Sequence, residues 1–161
     1  MCIRDSHRID TSIRIVLEGP PCPPRVLTYR GDSIGAIGGF DERSIAASLR
    51  NALAQAIHLD RDETVICNNG IEVTHRSFES VIKAAAIPGF YYLDKKGTDI
   101  RAVSFTSPAI FVMSDHKSMP RKSLRYLTRL GSIPIALGPK TVFASQCVVL
   151  VHNELDRQAI Q

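Results

Sequence analysis

Short apolar runs alternate with helix-periodic segments along almost the whole chain, and this alternation restricts the fold more than any other feature. Ser12–Leu17 reads as a buried strand and ends at Gly19-Pro20-Pro21, with Pro23-Pro24 close behind. Proline lacks an amide hydrogen and fixes φ, so no strand or helix interior continues through that stretch. Arg25–Tyr29 is a second strand. Asp41 is placed to cap a helix, and Glu42 suits its positive first turn. Ile45, Leu49, Leu53 and Ile57 then recur at four-residue intervals, with Ala46, Ala52 and Ala56 between them. That spacing predicts an amphipathic helix of about four turns, with Arg43 and Arg50 on its other faces. Val65–Ile66 and Ile71–Val73 flank the turn Asn68-Asn69-Gly70, and Ser77–Ala85 is a second helix stopped by Pro88-Gly89.

The carboxyl half repeats the pattern. Phe90–Leu93 is an aromatic strand, Asp94–Gly97 a turn and Arg101–Phe105 a short returning strand. Ala109–Met113 is apolar and ends in Ser114-Asp115-His116. Pro120 opens a helix with Leu124, Leu127 and Leu130 along one side, and Gly131 stops it. Arg121, Lys122, Arg125 and Arg129 coat the rest, either as a solvated face or as a surface for a polyanion. Ile133–Leu137 is a strand ending at Gly138-Pro139. The final helix runs from Ser145 to about Gln158, with Val148, Val151 and Leu155 on one face.

Strands alternating with helices predict an α/β fold with a mainly parallel sheet flanked by helices. In such sheets ligands bind beyond the carboxyl ends of the strands. Three of these ends collect loop residues: Leu93-Asp94, Ser114-Asp115-His116 and Leu137-Gly138-Pro139. They are either the lips of a pocket or ordinary loops.

Length and composition remove several alternatives. With 161 residues and 44% hydrophobic content, the chain can bury a core without a disulfide or metal staple. Its longest apolar runs, such as Ile110–Met113 and Cys147–Val151, fall far short of the roughly 20 residues of a membrane span. Lys and Arg number 20 against 16 Asp and Glu, a net charge of +4 that permits a polyanionic partner without demanding one. The four cysteines have no C-x-x-C spacing, so no zinc or redox motif is present. Scattered thiols without a secretory signal fit a reducing cytoplasm. The glycine-rich Gly35–Phe40 lacks the phosphate-loop pattern and reads as a turn before a helix. No paired carboxylates, nucleophile elbow or His-x-x-x-His occurs. His116 beside Asp115 is a candidate pair. Cys147 is either a nucleophile near a helix N-terminus or a buried small side chain, and His152 is structural or solvent-facing.

A family resemblance adds to this reading. Leu137–Pro139 (LGP), Phe143–Cys147 (FASQC) and Val148–Asp156 (VVLVHNELD) resemble the terminal motif of the SPOUT-superfamily pseudouridine N1-methyltransferases. The likeness extends through Asp115-His116, Tyr91–Gly97 (YYLDKKG), Gly38–Glu42 (GGFDE) and Val16–Glu18, and so covers about Ile13 to Asp156. Asp94–Thr98 and Lys140–Cys147 are most similar to a bacterial branch of that family. The resemblance implies a SPOUT fold with a C-terminal trefoil knot, S-adenosyl-L-methionine as cofactor, RNA (in the family's terms, tRNA) as partner and a homodimer built on the last helix, without membrane or metal. The family's cofactor positions fall on Leu93, Ser114, Leu137, Gly138, Pro139, Lys140, Thr141, Val142 and Cys147. Cys147 then lines the pocket, because methyl transfer from a sulfonium needs an aligned acceptor and no covalent enzyme intermediate. Ser114-Asp115-His116-Lys117-Ser118 departs from the archaeal Gly-Asp-His-x-Gly, and the two missing glycines restrict that loop.

The acceptor implied is the ring N1 of pseudouridine, which a base or hydrogen-bond acceptor would polarise. Asp115 is the first candidate and Asp41 the second. Arg43, Arg50, Arg121, Lys122, Arg125 and Arg129 are the candidate phosphate contacts. The competing expectations are a catalytically silent SPOUT-like dimer that binds RNA or a protein, and a methyltransferase for another nucleoside. Family members usually carry a further strand and helix ahead of Ser12, and Met1–Arg8 resembles none of it. The expectation is a non-native or disordered leader over 1–11, then one SPOUT domain over 12–161 lacking its first strand and helix.

Overall fold

The computed structural model describes residues 8–20, 22–35, 39, 41–85, 88–115 and 119–159. Most of the expected leader, most of the Gly35–Phe40 turn, and His116 lie outside them. The chain divides into two compact units, Met1–Ile82 and Lys83–Gln161.

The first unit is built on a four-stranded sheet of order β1-β2-β4-β3, made of β1 (Ser12–Leu17), β2 (Arg25–Arg30), β3 (Thr64–Ile66) and β4 (Glu72–Thr74). Every pairing in it is antiparallel, so the expected mainly parallel sheet does not extend to this half. The reason is the length of the connections. The β3–β4 turn is far too short for the crossover that parallel strands need. Gly70 closes that turn at φ +79, and a Cβ there would sit 2.5 Å from the Ser33 carbonyl oxygen.

β1 corrects a second expectation. It is an edge strand, paired only with β2, and Ile13 is 50% exposed. β2 carries the burial instead, with Leu27 in the core beside Ile71 and Val73 of the hairpin. Fully burying each such side chain contributes roughly 1.5–3 kcal/mol. Arg30 donates to Glu72 on the neighbouring strand at 2.6 Å and 3.4 Å, a fork that holds β2 and β4 in register.

α1 (Glu42–Gln55) starts where Asp41 caps it, but it buries a different stripe from the one expected. Ser48, Ala52 and Ala56 face the core, with Leu49 and Leu53 half-buried, whereas Ile45 and Ile57 are 39% and 52% exposed. Small side chains let the helix backbone approach the sheet closely, and the flanking isoleucines are left at the margins. α2 (Phe78–Ala85) follows, its Ser80 amide bonded to the Ser77 hydroxyl.

The second unit has a parallel three-stranded sheet of order β6-β5-β7, from β5 (Gly89–Asp99), β6 (Ala109–Val112) and β7 (Ile133–Ala136). Pro134 is tolerated because β7 is an edge. α3 (Arg121–Arg129) joins β6 to β7, and α4 (Ala144–Ala159) follows β7. Gly131 ends α3 at φ +77, with its amide on the Thr128 carbonyl and the Ser132 amide on Leu127, the paired bonds of a Schellman stop. Tyr91, Phe105 and Phe111 form a ring cluster with centroids 4.9–5.3 Å apart.

Two local expectations fail here. Asp94–Gly97 is not a turn between strands but an interruption inside β5: Leu93 and Thr98 both pair with Ile135, and the four residues between them arch out. Arg101–Phe105 is not a strand. A short 3-10 turn, Ile100–Ala102, leads into an irregular segment that α4 pins from the side. The Gln158 amide donates to the Val103 carbonyl at 2.9 Å and accepts from the Phe105 amide at 3.0 Å, replacing the ladder bonds a strand would have made.

Candidate functional site

Parallel pairing sets Leu93 of β5 alongside the ends of β6 and β7, which lead into Ser114 and Leu137. Tyr92 pairs with Val112, and Leu93 pairs with Ile135. Ser114 lies two residues beyond Val112, and Leu137 two beyond Ile135. Because β5 is central, Leu93 stands between the other two strand ends, which are about 10 Å apart at the usual strand spacing. Asp115 is exposed directly after Ser114. Leu93 and Leu137 pack against the core cluster of Tyr91, Ile100, Ile135 and Val151, which anchors the site from beneath.

The loop after β7 carries a glycine in an unusual conformation. Gly138 has φ +143, a conformation L side chains rarely adopt, and no atom of a described residue lies within 4 Å of where its Cβ would be. An open cradle over bare backbone is what close approach of a flat ligand needs. Pro139, Lys140 and Thr141 are exposed, and Val142 is half-buried. The loop ends at the N-terminus of α4, where the Phe143 amide donates to the Gln146 side-chain oxygen at 2.9 Å, half of a capping box. The Cys147 thiol lies 3.9 Å from the Val142 carbonyl oxygen and ties the loop to the helix. Burial pushes the Cys147 thiol up from its ordinary value, the opposite of what a nucleophile requires. Cys147 is placed as a wall of the loop.

The other candidates are dispersed. Asp41 caps α1: one carboxylate oxygen accepts from the Ser44 amide at 3.0 Å, the other from the Ser44 hydroxyl at 2.6 Å. These bonds hold its carboxyl below the usual range and weaken it as a base. Arg43 and Arg50 are exposed on α1, two turns and about 10 Å apart along one side. Arg121, Lys122 and Arg125 are exposed on α3, whose first turn carries no acidic residue. Two cations at the positive end of a helix dipole cost stability and concentrate positive potential. Arg129, at the other end, lies over the Tyr126 ring with 5.8 Å to its centroid.

Among the described residues no group of three or more His, Cys, Asp or Glu could hold a metal, and no helix is long and apolar enough to cross a membrane. Cys22, Cys67 and Cys147 are free thiols. Sequence reasoning missed Arg61, His75 and Arg76, which the β3–β4 hairpin brings together around a groove, and gave no role to Gly97. The hairpin register was the available signal: extending it past Thr64 and Thr74 sets Asp62 beside Arg76.

Comparison with known proteins gives the same direction. Residues 1–160 match a family described as "Putative SAM-dependent RNA methyltransferase". A Shewanella baltica protein named "Putative pseudouridine methyltransferase" is 39% identical over 155 residues, covering 96% of this chain and 78% of the relative. A Vibrio parahaemolyticus protein of the same name is 40% identical over 157 residues, covering 97% and 79%. The crystal structure of Archaeoglobus fulgidus Nep1 bound to S-adenosylhomocysteine aligns with a TM-score of 0.59 at 11% identity, over 85% of this chain and 59% of that one. That likeness is one of fold, an α/β arrangement with a parallel sheet and helices. With its parallel strand ends and open glycine loop already in place, the chain belongs to the family of S-adenosylmethionine-dependent RNA methyltransferases.

Proposed function

We propose that this protein transfers a methyl group from S-adenosylmethionine to N1 of a pseudouridine in tRNA. The observation that supports the reading is the parallel register, in which Leu93, at the start of the β5 arch, lies alongside the ends of β6 and β7, from which Ser114 and the Gly138 loop continue. The names of the 39–40% identical relatives support the acceptor. S-adenosylmethionine supplies an electrophilic methyl on a sulfonium. The residues that would hold it are Leu93, Ser114, Leu137, Gly138, Pro139, Lys140, Thr141, Val142 and Cys147. Leu93 and Leu137 offer apolar walls, and Gly138 lets backbone amides and carbonyls reach the ligand's polar edge. The protein's main task is alignment of acceptor and methyl, and oriented reactants can supply several kcal/mol of the barrier.

Asp115 is the proposed base, with Asp41 the weaker second choice because capping occupies both its oxygens. Arg43, Arg50, Arg121, Lys122 and Arg125 are proposed contacts for RNA phosphates. Incubating the protein with unmodified, pseudouridine-containing tRNA and S-adenosylmethionine should yield N1-methylpseudouridine by nucleoside mass spectrometry. Asp115→Asn should lower kcat by about 10²-fold while cofactor affinity, read by calorimetry, stays unchanged. Cofactor binding without a methylated pseudouridine would redirect the reading to another nucleoside. No cofactor binding by folded protein would favour a catalytically silent RNA-binding dimer.

The proposal includes a homodimer through α4. Phe143, Val149 and Leu150 are 79%, 66% and 40% exposed on or beside that helix, an apolar surface that water disfavours. Val149→Glu should convert a sedimenting dimer to monomer; a wild-type monomer at micromolar concentration would remove this part. The C-terminal knot, a cytoplasmic location and a single SPOUT domain over 12–161 belong to the same proposal.

A further inference from the structure

The first unit contains a groove with a volume of about 470 Å³, lined by Pro24, Arg61, Asp62, His75, Arg76, Ser77 and Ser80. The hairpin register builds it. The Asp62 amide donates to the His75 carbonyl, and the His75 amide to Glu63, so the residues flanking β3 and β4 face each other across the groove. Asp62 adopts φ 63, an unusual value for a residue with a Cβ.

The charges do not balance within the groove. Arg76 reaches Asp62 at 3.4 Å, the single carboxylate of the lining. Arg61 is exposed and has no ion pair or hydrogen bond to any described residue. The independent observation is Arg25, only 7% exposed. Its guanidinium has no carboxylate partner among the described residues and touches only the carbonyl oxygens of Pro24 at 3.4 Å and Leu59 at 3.5 Å. The Leu59 oxygen also lies 3.2 Å from Nδ1 of His75, so the buried charge sits directly behind the groove wall. Buried charges are normally paired, and this one lacks its counter-ion. Three guanidinium groups against one carboxylate leave an anion site.

We propose that this groove binds backbone phosphates of the RNA substrate, as a docking site additional to Arg43, Arg50 and the cations of α3. The inference rests on the RNA methyltransferase assignment and adds a surface to it. Phosphate is the anion that such a substrate carries at every nucleotide. Arg61 supplies an exposed fork, Arg76 a second one held by Asp62, and the Ser77 and Ser80 hydroxyls hydrogen-bonding partners.

The test uses the full chain and fluorescence anisotropy with unmodified tRNA across a salt series, beside calorimetry with S-adenosylmethionine. Arg61→Glu should weaken RNA binding at least fivefold near 0.1 M salt and lower the salt slope by about one. Ser80→Asp puts a carboxylate into the same groove at a helical position where acidic residues are tolerated, and should act in the same direction. Arg14→Glu, the same charge reversal on the exposed edge strand, should change affinity less than twofold. Cofactor affinity should be unaffected in all three. If Arg61→Glu does not fold, Ser80→Asp decides alone. RNA affinity and slope unchanged in the groove variants, in a protein whose wild type binds tRNA, would overturn the inference and leave the methyltransferase assignment intact. Inorganic phosphate bound in an Arg61-dependent way without any effect on RNA would overturn it too, making the groove a small-anion site. Absence of RNA binding by the wild type would remove both this inference and the tRNA reading.

Discussion

Replacing Gly97 with alanine should lower the thermal midpoint by roughly 2–12 °C and weaken S-adenosylmethionine binding about tenfold. Gly97 is the last residue of the arch inside β5. A Cβ there would lie 2.5 Å from the Pro134 carbonyl carbon, 2.6 Å from the Ile135 amide nitrogen and 2.6 Å from the Pro134 oxygen. All three are backbone atoms of β7, so no rotamer change relieves the contact. Either the arch lifts or β7 moves, and overpacking of this kind costs about 1–3 kcal/mol. For a chain of this length each kcal/mol corresponds to about 2–4 °C. β7 cannot move without its continuation, and Leu137 lies two residues past Ile135. A shift of a few tenths of an ångström there reaches the cofactor loop directly. Lys96→Ala is the control, since Lys96 is exposed and only its amide, bonded to Asp94 at 2.8 Å, takes part in the arch. A Gly97→Ala protein with wild-type melting would show that β7 accommodates the methyl. Wild-type cofactor affinity at a lowered midpoint would separate the arch from the site.

The same arch shows what the sequence could and could not reveal. The strands and helices were legible because their signals are local. Period-four apolar spacing marked α1, and Pro120 and Gly131 bracketed α3. Asp94–Gly97 has turn chemistry, and it does turn, but whether a strand resumes afterwards depends on a partner some 40 residues away. Thr98 rejoins β7 only because Ile135 can accept both sides of the arch. Strand direction in the first unit had the same non-local origin, and β1 read as buried because its apolar composition cannot announce that it has one neighbour. The α1 face was missed for a different reason. Hydrophobic spacing ranks isoleucine above serine, whereas the sheet selects the side that lets the helix come closest, and Ser48 and Ala52 won. The ends of β6 and β7 were legible just before Ser114 and Leu137, since apolar runs closing in Ser or Gly-Pro mark the ends of buried strands, whereas β5 runs on past Leu93 to Asp99. The groove was not, because its cations are separated in sequence and meet only through the hairpin register.

Gly138 and Gly131 allow the strand-end site to be tested against mere loop geometry. Both have positive φ, +143 and +77, and at both a Cβ would meet no atom of a described residue within 4 Å. Alanine at either position therefore introduces backbone strain without a clash. The cost is about 1–2 kcal/mol in the left-handed helical region at Gly131 and of order 1–3 kcal/mol at Gly138. Gly131→Ala should melt a few degrees lower and bind S-adenosylmethionine like the wild type, because its carbonyl and amide serve only to stop α3. Gly138→Ala should melt similarly low but lose at least tenfold in cofactor affinity, since the methyl fills the open space over the loop and the strain turns the neighbouring amides. Calorimetry on the two variants at one temperature, well below either midpoint, isolates the binding term. Equal affinities would mean that the space over Gly138 is solvent alone. The cofactor would then have to be held without the loop after β7, and Leu137–Val142 would lose their assignment together.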